Sequence, residues 1–147
     1  VDVMAGTGYW ARVLAEAGGD VTASDLCEPG VDNDWHGADR RYFDVQYGMD
    51  AAHVAGGHAA HRPDSVLLLC WPPMSDAAAR AAHAHRIAGG RTIVYVGEGH
   101  GGCTGDDTLW QMLFEESDAE CIGGTSWFGL HDKVWICTHA RTPKENQ

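Results

Sequence analysis

Apolar positions along the chain fall into short strand-length runs that alternate with stretches at helical spacing. Val1–Met4 is an apolar run that predicts a first strand, and a glycine turn follows it. Trp10, Val13, Leu14 and Ala17 recur at helical spacing and predict a helix over Tyr9–Ala17, ended by Gly18-Gly19. Asp20–Asp25 reads as a second short strand. Residues 26–41 are polar and turn-rich, with Pro29-Gly30 and Asn33-Asp34, and carry no clear period. Arg41–Val45 is the expected third strand, followed by a turn-prone Gln46-Tyr47-Gly48.

The second half alternates more clearly. Ala51–Ala60 reads as a poor helix weakened by Gly56-Gly57, and Ser65–Cys70 as an apolar strand stopped by Trp71-Pro72-Pro73. Asp76–Ile87 is Ala-rich and helical, with Ser75 or Asp76 as N-cap and Gly89-Gly90 beyond its end. Arg91–Gly97 is a strand, and Asp106–Ser117 a helix capped by Thr104 or Asp106. Trp110, Leu113 and Phe114 form the apolar face of that helix. Glu120–Trp127 and Asp132–His139 read as two closing strands around Phe128-Gly129-Leu130-His131. Strands alternating with helices imply parallel pairing with right-handed crossovers, whereas the last two strands are too close for a helix and pair antiparallel. The expected fold is α/β: a Rossmann-like three-layer sandwich, with a mostly parallel seven-stranded sheet and an antiparallel C-terminal hairpin.

Composition narrows this picture. The 147 residues suit one domain, and no repeat or linker divides them. The chain opens inside its first strand without an initiator Met, so upstream sequence is expected to precede it. Apolar residues make up 44%, and the longest clean apolar run, Val66–Trp71, is far too short to span a bilayer. A net charge of -11 repels polyanions, which argues against nucleic-acid or membrane-surface partners; the expected substrate is a small molecule, with a protein as the lesser alternative. Five cysteines without a CxxC point to a reducing, cytoplasmic compartment. The nine histidines include His53/His58/His61, His83/His85 and His100 beside Cys103, none at a standard zinc spacing, so no metal is expected.

Candidate chemistry gathers at the carboxyl ends of the expected strands, where ligands bind open α/β sheets. Ala5-Gly6-Thr7-Gly8 follows the first strand, and Asp25 with Leu26 closes the second, 17 residues beyond Gly8. Asp44 lies in the expected third strand. Trp71-Pro72-Pro73-Met74 follows the fourth, and Glu98-Gly99-His100-Gly101-Gly102-Cys103 the fifth. Gly6 and Gly8 let the backbone turn tightly and let a ligand approach, and a carboxylate at Asp25 suits ribose hydroxyls. A bare strand–helix turn explains Gly-x-Gly alone equally well. The same residues fit the dinucleotide pattern G-x-G-x-x-A. Asp2 weighs against a dinucleotide, since a carboxylate beside the turn repels a pyrophosphate and attracts an ammonium.

Asp2-Val3-Met4-Ala5-Gly6-Thr7-Gly8 resembles motif I of the class I methyltransferases that use S-adenosylmethionine, and Asp25 resembles their second-strand acid. Met4 stands where that motif has its first glycine. Gly-Thr-Gly-Tyr-Trp, Leu-Leu-Leu-Cys-Trp-Pro-Pro and Gly-Cys-Thr-Gly-Asp are together similar to an uncharacterised branch of the superfamily. The resemblance implies S-adenosylmethionine held by Asp2, Ala5, Gly6, Thr7, Gly8, Asp25, Leu26, Asp44 and Trp71. It implies an acceptor held by Pro72, Pro73 and Met74. Trp71-Pro72-Pro73 is similar to the Asp/Asn-Pro-Pro motif of amino-methyltransferases, but an indole cannot accept a hydrogen bond from an amine, so that specificity does not carry over. A rigid wall, with Trp71 as a cation–π partner for the sulfonium, is one reading and a plain strand terminator the other. Glu98 and His100 are the candidates for a general base or substrate-orienting group, against a polar Gly-rich loop. Two other readings stay open: a non-catalytic nucleoside-binding module and an NAD-dependent oxidoreductase fragment.

Overall fold

The computed structural model describes residues 1–31, 40–124 and 129–139. The elements in chain order are β1 (Asp2–Val3), α1 (Tyr9–Glu16), β2 (Ala23–Asp25), β3 (Val45–Tyr47), α2 (Ala51–His61) and β4 (Val66–Cys70). They continue with α3 (Ala77–Ile87), β5 (Thr92–Gly97), α4 (Asp107–Phe114), β6 (Asp118–Gly124) and β7 (Lys133–Thr138). The seven strands form one sheet in the order β3-β2-β1-β4-β5-β7-β6. The first five are parallel, and β7 inserts antiparallel between β5 and β6. The α/β sandwich with its antiparallel C-terminal hairpin thus forms as the alternation of apolar runs requires.

The core lies mainly on one face of the sheet. Leu67, Leu69, Ile93, Tyr95 and Cys137 alternate along β4, β5 and β7 and are fully enclosed against α2, α3 and α4. Each large apolar side chain so buried contributes about 1.5–3 kcal/mol. The opposite face carries α1, whose Ala11 packs on Ala23 and Val45.

Four expectations shift. The third strand is Val45–Tyr47, not Arg41–Val45, because the parallel register pairs Ala23 with Val45 and Asp25 with Tyr47. Gln46 and Tyr47 are therefore strand, and Asp44 precedes it. Gly56 has a packing role that the helix pattern did not show: a side chain there would press to 3.3 Å from the Ala84 Cβ, so glycine lets α2 and α3 approach closely. The hairpin strand β6 starts two residues earlier than expected, at Asp118, and Trp127 and Phe128 lie outside the described residues. The last helix ends at Phe114 rather than Ser117, with Asp106 as its cap, accepting from the Leu109 N–H at 2.9 Å.

Candidate functional site

The strand order reverses direction between β1 and β4, and the loops after these two strands form the switch point where open α/β sheets bind ligands. Among the described residues, the two non-glycine residues with positive φ are Met4 (58°) and Trp71 (49°). They follow β1 and β4 directly. A left-handed backbone costs such residues about 1–2 kcal/mol each. Backbone strain is thus concentrated at the switch point, where function most often holds it. The Met4 side chain packs against the core cluster rather than over the glycine turn.

The turn after β1 is braced by Asp25. Its Oδ2 accepts from the Gly6 N–H at 2.8 Å and its Oδ1 from the Cys27 N–H at 2.9 Å. Each oxygen keeps a second lone pair for a ligand hydroxyl. Tyr47 Oη donates to the Gly6 carbonyl at 3.1 Å, so β3 also grips the turn. Ala5 N–H donates to the Ser24 carbonyl, and Thr7 C=O accepts from Tyr42 N–H. Gly8, at φ 77°, has a further reason to lack a side chain: a Cβ would lie 2.7 Å from Phe43 Cβ and 2.8 Å from Val45 Cγ2. Substitution there strikes the packing of the segment entering β3 before it reaches any ligand. Leu26 is exposed at the end of β2, and Asp44 is exposed ahead of β3.

Asp2 lies under this turn, 2% exposed. Burial pushes its carboxyl up to about 7; the Val1 ammonium opposes the rise and Asp25 adds to it. Register places Asp2 opposite Leu68, on the sheet face that also carries Cys70. Burial pushes the Cys70 thiol up to about 12, with Asp2 and then Asp132 adding to the effect. Asp132, 7% exposed, directly precedes β7. Two buried carboxylates thus act on one thiol along the carboxyl edge of the sheet. Cys70, Asp132 and Tyr47 escaped the sequence reading; the period-2 register of their strands was the available signal.

The segment after β4 is tied to its neighbours at two backbone points. Trp71 N–H donates to the Val96 carbonyl at 2.8 Å, and Pro72 is buried with its carbonyl accepting from Gly105 N–H at 3.0 Å. Trp71 itself is 38% exposed, so its indole is not a core side chain, and Met74 stands out at 69%. Pro73 is exposed between them.

Glu98 and His100 are not brought together. Glu98 Oε2 accepts from Cys103 N–H and Oε1 from His131 N–H, both at 3.0 Å. The Cys103 N–H, then the Cys103 thiol and the His131 N–H, hold this carboxyl below its usual range. Glu98 N–H donates to Thr104 Oγ1 at 2.8 Å, and Tyr95 Oη sits 2.7 Å from the same hydroxyl. Glu98 is therefore a brace within the loop between β5 and α4. His100 is exposed, with Nε2 3.6 Å from Asp107 Oδ1 and its ring 6.0 Å from that of Trp110.

Beside this braced loop a cleft of about 280 Å³ opens between Met74, Gly99, Thr104, Asp106, Asp107 and Trp110. A cleft of about 220 Å³ at the opposite, amino-terminal edge is lined by Pro63, Asp64, Arg91 and Thr138, away from the switch point. At the carboxyl edge Asp25 keeps lone pairs toward solvent, Asp2 is buried beneath, and the cleft beside the loop after β5 is lined by neither of them. No helix among the described residues is long and apolar enough to cross a membrane. No family model matches the chain, and no curated protein shows significant similarity to it.

Proposed function

We propose that this chain binds S-adenosylmethionine at the β1–β4 switch point and acts as a methyltransferase on a small molecule in the adjoining cleft. The observation that carries the reading is the pair of carboxylates around the glycine turn: Asp25 bonded to Gly6 N–H, and Asp2 buried one strand away. The free lone pairs of Asp25 suit the two ribose hydroxyls, with Leu26 beside them against the adenine. Asp2 suits the ammonium of the methionine moiety and would repel a pyrophosphate, which favours this cofactor over NAD. When bound, S-adenosylmethionine supplies a methyl group activated by a sulfonium.

The chain's own residues then position and exclude. Ala5, Gly6, Thr7 and Gly8 shape the turn on which the cofactor rests. Trp71, fixed by its bond to Val96 and by buried Pro72, stands as an apolar wall, and its π face attracts a cation. Pro73 and Met74 extend that wall toward the cleft. Methyl transfer depends chiefly on in-line positioning, and a rigid wall supplies it without proton transfer. His100, exposed on the loop beside the cleft, is our candidate to take a proton where an acceptor needs to lose one.

A second reading, a nucleoside-binding module without catalysis, is favoured by Glu98, whose two oxygens are both engaged by backbone N–H groups. Calorimetric titration with S-adenosylmethionine, S-adenosylhomocysteine and NAD tests the cofactor class. Binding of the first two and not the third is expected, and tighter binding of NAD overturns the reading. A methyl-donor turnover assay over a panel of small nucleophiles then separates enzyme from module.

A further inference from the structure

Gly6, in the turn after β1, adopts a left-handed backbone at φ 56°. Glycine has wide freedom about both of its dihedral angles. Here the two peptides that flank it are each held by a side chain. The N–H of the Ala5–Gly6 peptide donates to Asp25 Oδ2 at 2.8 Å, and the carbonyl of the Gly6–Thr7 peptide accepts from Tyr47 Oη at 3.1 Å. One bond on each planar peptide restrains both dihedral angles of the residue between them. The two grips arise side by side, because Asp25 of β2 and Tyr47 of β3 are direct partners in the parallel register.

Tyr47 is itself held in place. The Arg41 guanidinium lies over its ring, 5.1 Å from the centroid, and pairs with Glu28. Glu28 follows Cys27, whose N–H donates to the other oxygen of Asp25 at 2.9 Å. The contacts therefore close a circuit from Asp25 through Gly6, Tyr47, Arg41 and Glu28 back to Cys27 and Asp25. Tyr47 is the member that reaches from β3 to the turn after β1, 41 residues away in sequence. Burial raises its phenol above the ordinary value of 10.0, so it remains a donor at neutral pH.

A trans peptide points its carbonyl and the following N–H in opposite directions. The hydroxyl that holds the Gly6 carbonyl therefore turns the Thr7 N–H away from Tyr47. Among the described residues, no acceptor takes that N–H, and Thr7 is only half-buried. We propose that Tyr47 is a positioning residue: its hydroxyl sets the Gly6–Thr7 peptide so that the Thr7 N–H donates to the ligand at the glycine turn. The inference rests on the cofactor site proposed above and adds to it a residue that acts from the third strand without touching the ligand. Without the hydroxyl, Asp25 restrains only the peptide before Gly6. The peptide after it is then free to rotate, and binding must order it again at a cost in affinity.

The probe is S-adenosylhomocysteine, titrated into the whole chain by calorimetry and followed at the amide resonances. Tyr47→Phe keeps the ring that Arg41 covers and removes only the hydroxyl. Ser117→Ala is the control, because it removes a hydroxyl that donates to the Met112 carbonyl at 2.6 Å, just ahead of β6 at the far edge of the sheet. In the native chain the Thr7 amide proton is expected to move downfield on saturation. Tyr47→Phe is expected to bind about fivefold more weakly and to show a smaller Thr7 shift at saturation, whereas Ser117→Ala keeps both, whatever its melting temperature. A Tyr47→Phe chain with native affinity, or with weaker binding but the full Thr7 shift, overturns the inference and leaves the cofactor reading standing. A native chain that does not bind the probe overturns the cofactor reading. A ligand-free arm judges Tyr47 apart from it: hydrogen exchange at the Gly6 amide is expected to be about fivefold faster in Tyr47→Phe than in the native chain. An unchanged rate overturns the inference on its own.

Discussion

Asp2→Asn separates the energetic cost of the buried carboxylate from its use. The folded carboxyl titrates near 7 against an ordinary 3.8, because it is 2% exposed and has Asp25 nearby. The sign follows from which state holds the proton. Between those two values the folded chain binds a proton that the unfolded chain has lost, so Asp2 costs progressively more stability as pH rises toward 7. The shift corresponds to about 4 kcal/mol at pH 8. Asn, isosteric and uncharged, removes that cost. Chemical unfolding should therefore find the variant more stable than the native chain by as much as about 4 kcal/mol at pH 8, and by less than about 1 kcal/mol at pH 4. On the proposed function, that carboxylate faces the cofactor's ammonium. A ligand ammonium needs the ionised carboxylate, so S-adenosylmethionine should bind about tenfold more weakly at pH 6 than at pH 8, with release of nearly one proton at the lower pH. Calorimetry in two buffers of different ionisation enthalpy measures that proton directly. An Asn variant that is no more stable at pH 8 refutes the burial argument, and an affinity flat across pH 6–8 refutes the ammonium assignment.

Four further outcomes follow from the geometry. Asp25→Ala should weaken the cofactor about tenfold to hundredfold through the lost ribose bonds, and should also loosen the turn by freeing Gly6 N–H; a change below twofold would remove the ribose assignment. Gly8→Val should lower the melting temperature as well as binding, since its Cβ meets Phe43 at 2.7 Å, and an unchanged melting temperature would contradict that packing. His85 is fully buried and burial lowers its pKa to about 4 from 6.5, so the unfolded chain takes up the proton first and stability falls by about 3 kcal/mol as pH drops across that window; His85→Leu should flatten this acid limb relative to the native chain. Trp71→Gly should relieve about 1–2 kcal/mol of left-handed strain while reducing substrate turnover more than cofactor affinity, and a larger loss of cofactor affinity would place the indole on the cofactor instead.

The sequence revealed what local pattern controls. Uninterrupted apolar runs located β4 and β5, and the Ala-rich period located α3, within a residue at each end. The third strand moved because Tyr42 and Phe43 look like strand residues, yet only pairing with β2 decides which residues enter the sheet. The packing role of Gly56 was hidden because its contact is with Ala84 on another helix. At the site, the placement of Asp2, Gly6 and Asp25 was legible from spacing. The brace made by Glu98 was not: its partner His131 lies 33 residues away, and the residue type alone suggested a base. The left-handed backbones of Met4 and Trp71 were equally hidden, since neither side chain favours that conformation.

The double grip of Glu98 on Cys103 and His131 has a dynamic consequence. One carboxylate fastens the wall of the cleft to the segment that leads into β7, and β7 is the strand through which β6 joins the sheet. The cleft wall therefore does not fluctuate as an independent surface loop. Its amide at Cys103 and that of His131 should exchange with solvent in the same opening event, as one cooperative unit with the C-terminal hairpin. The cleft then inherits its lifetime from the far edge of the sheet, and a fault in the hairpin would be felt first as a loss of shape beside Trp110.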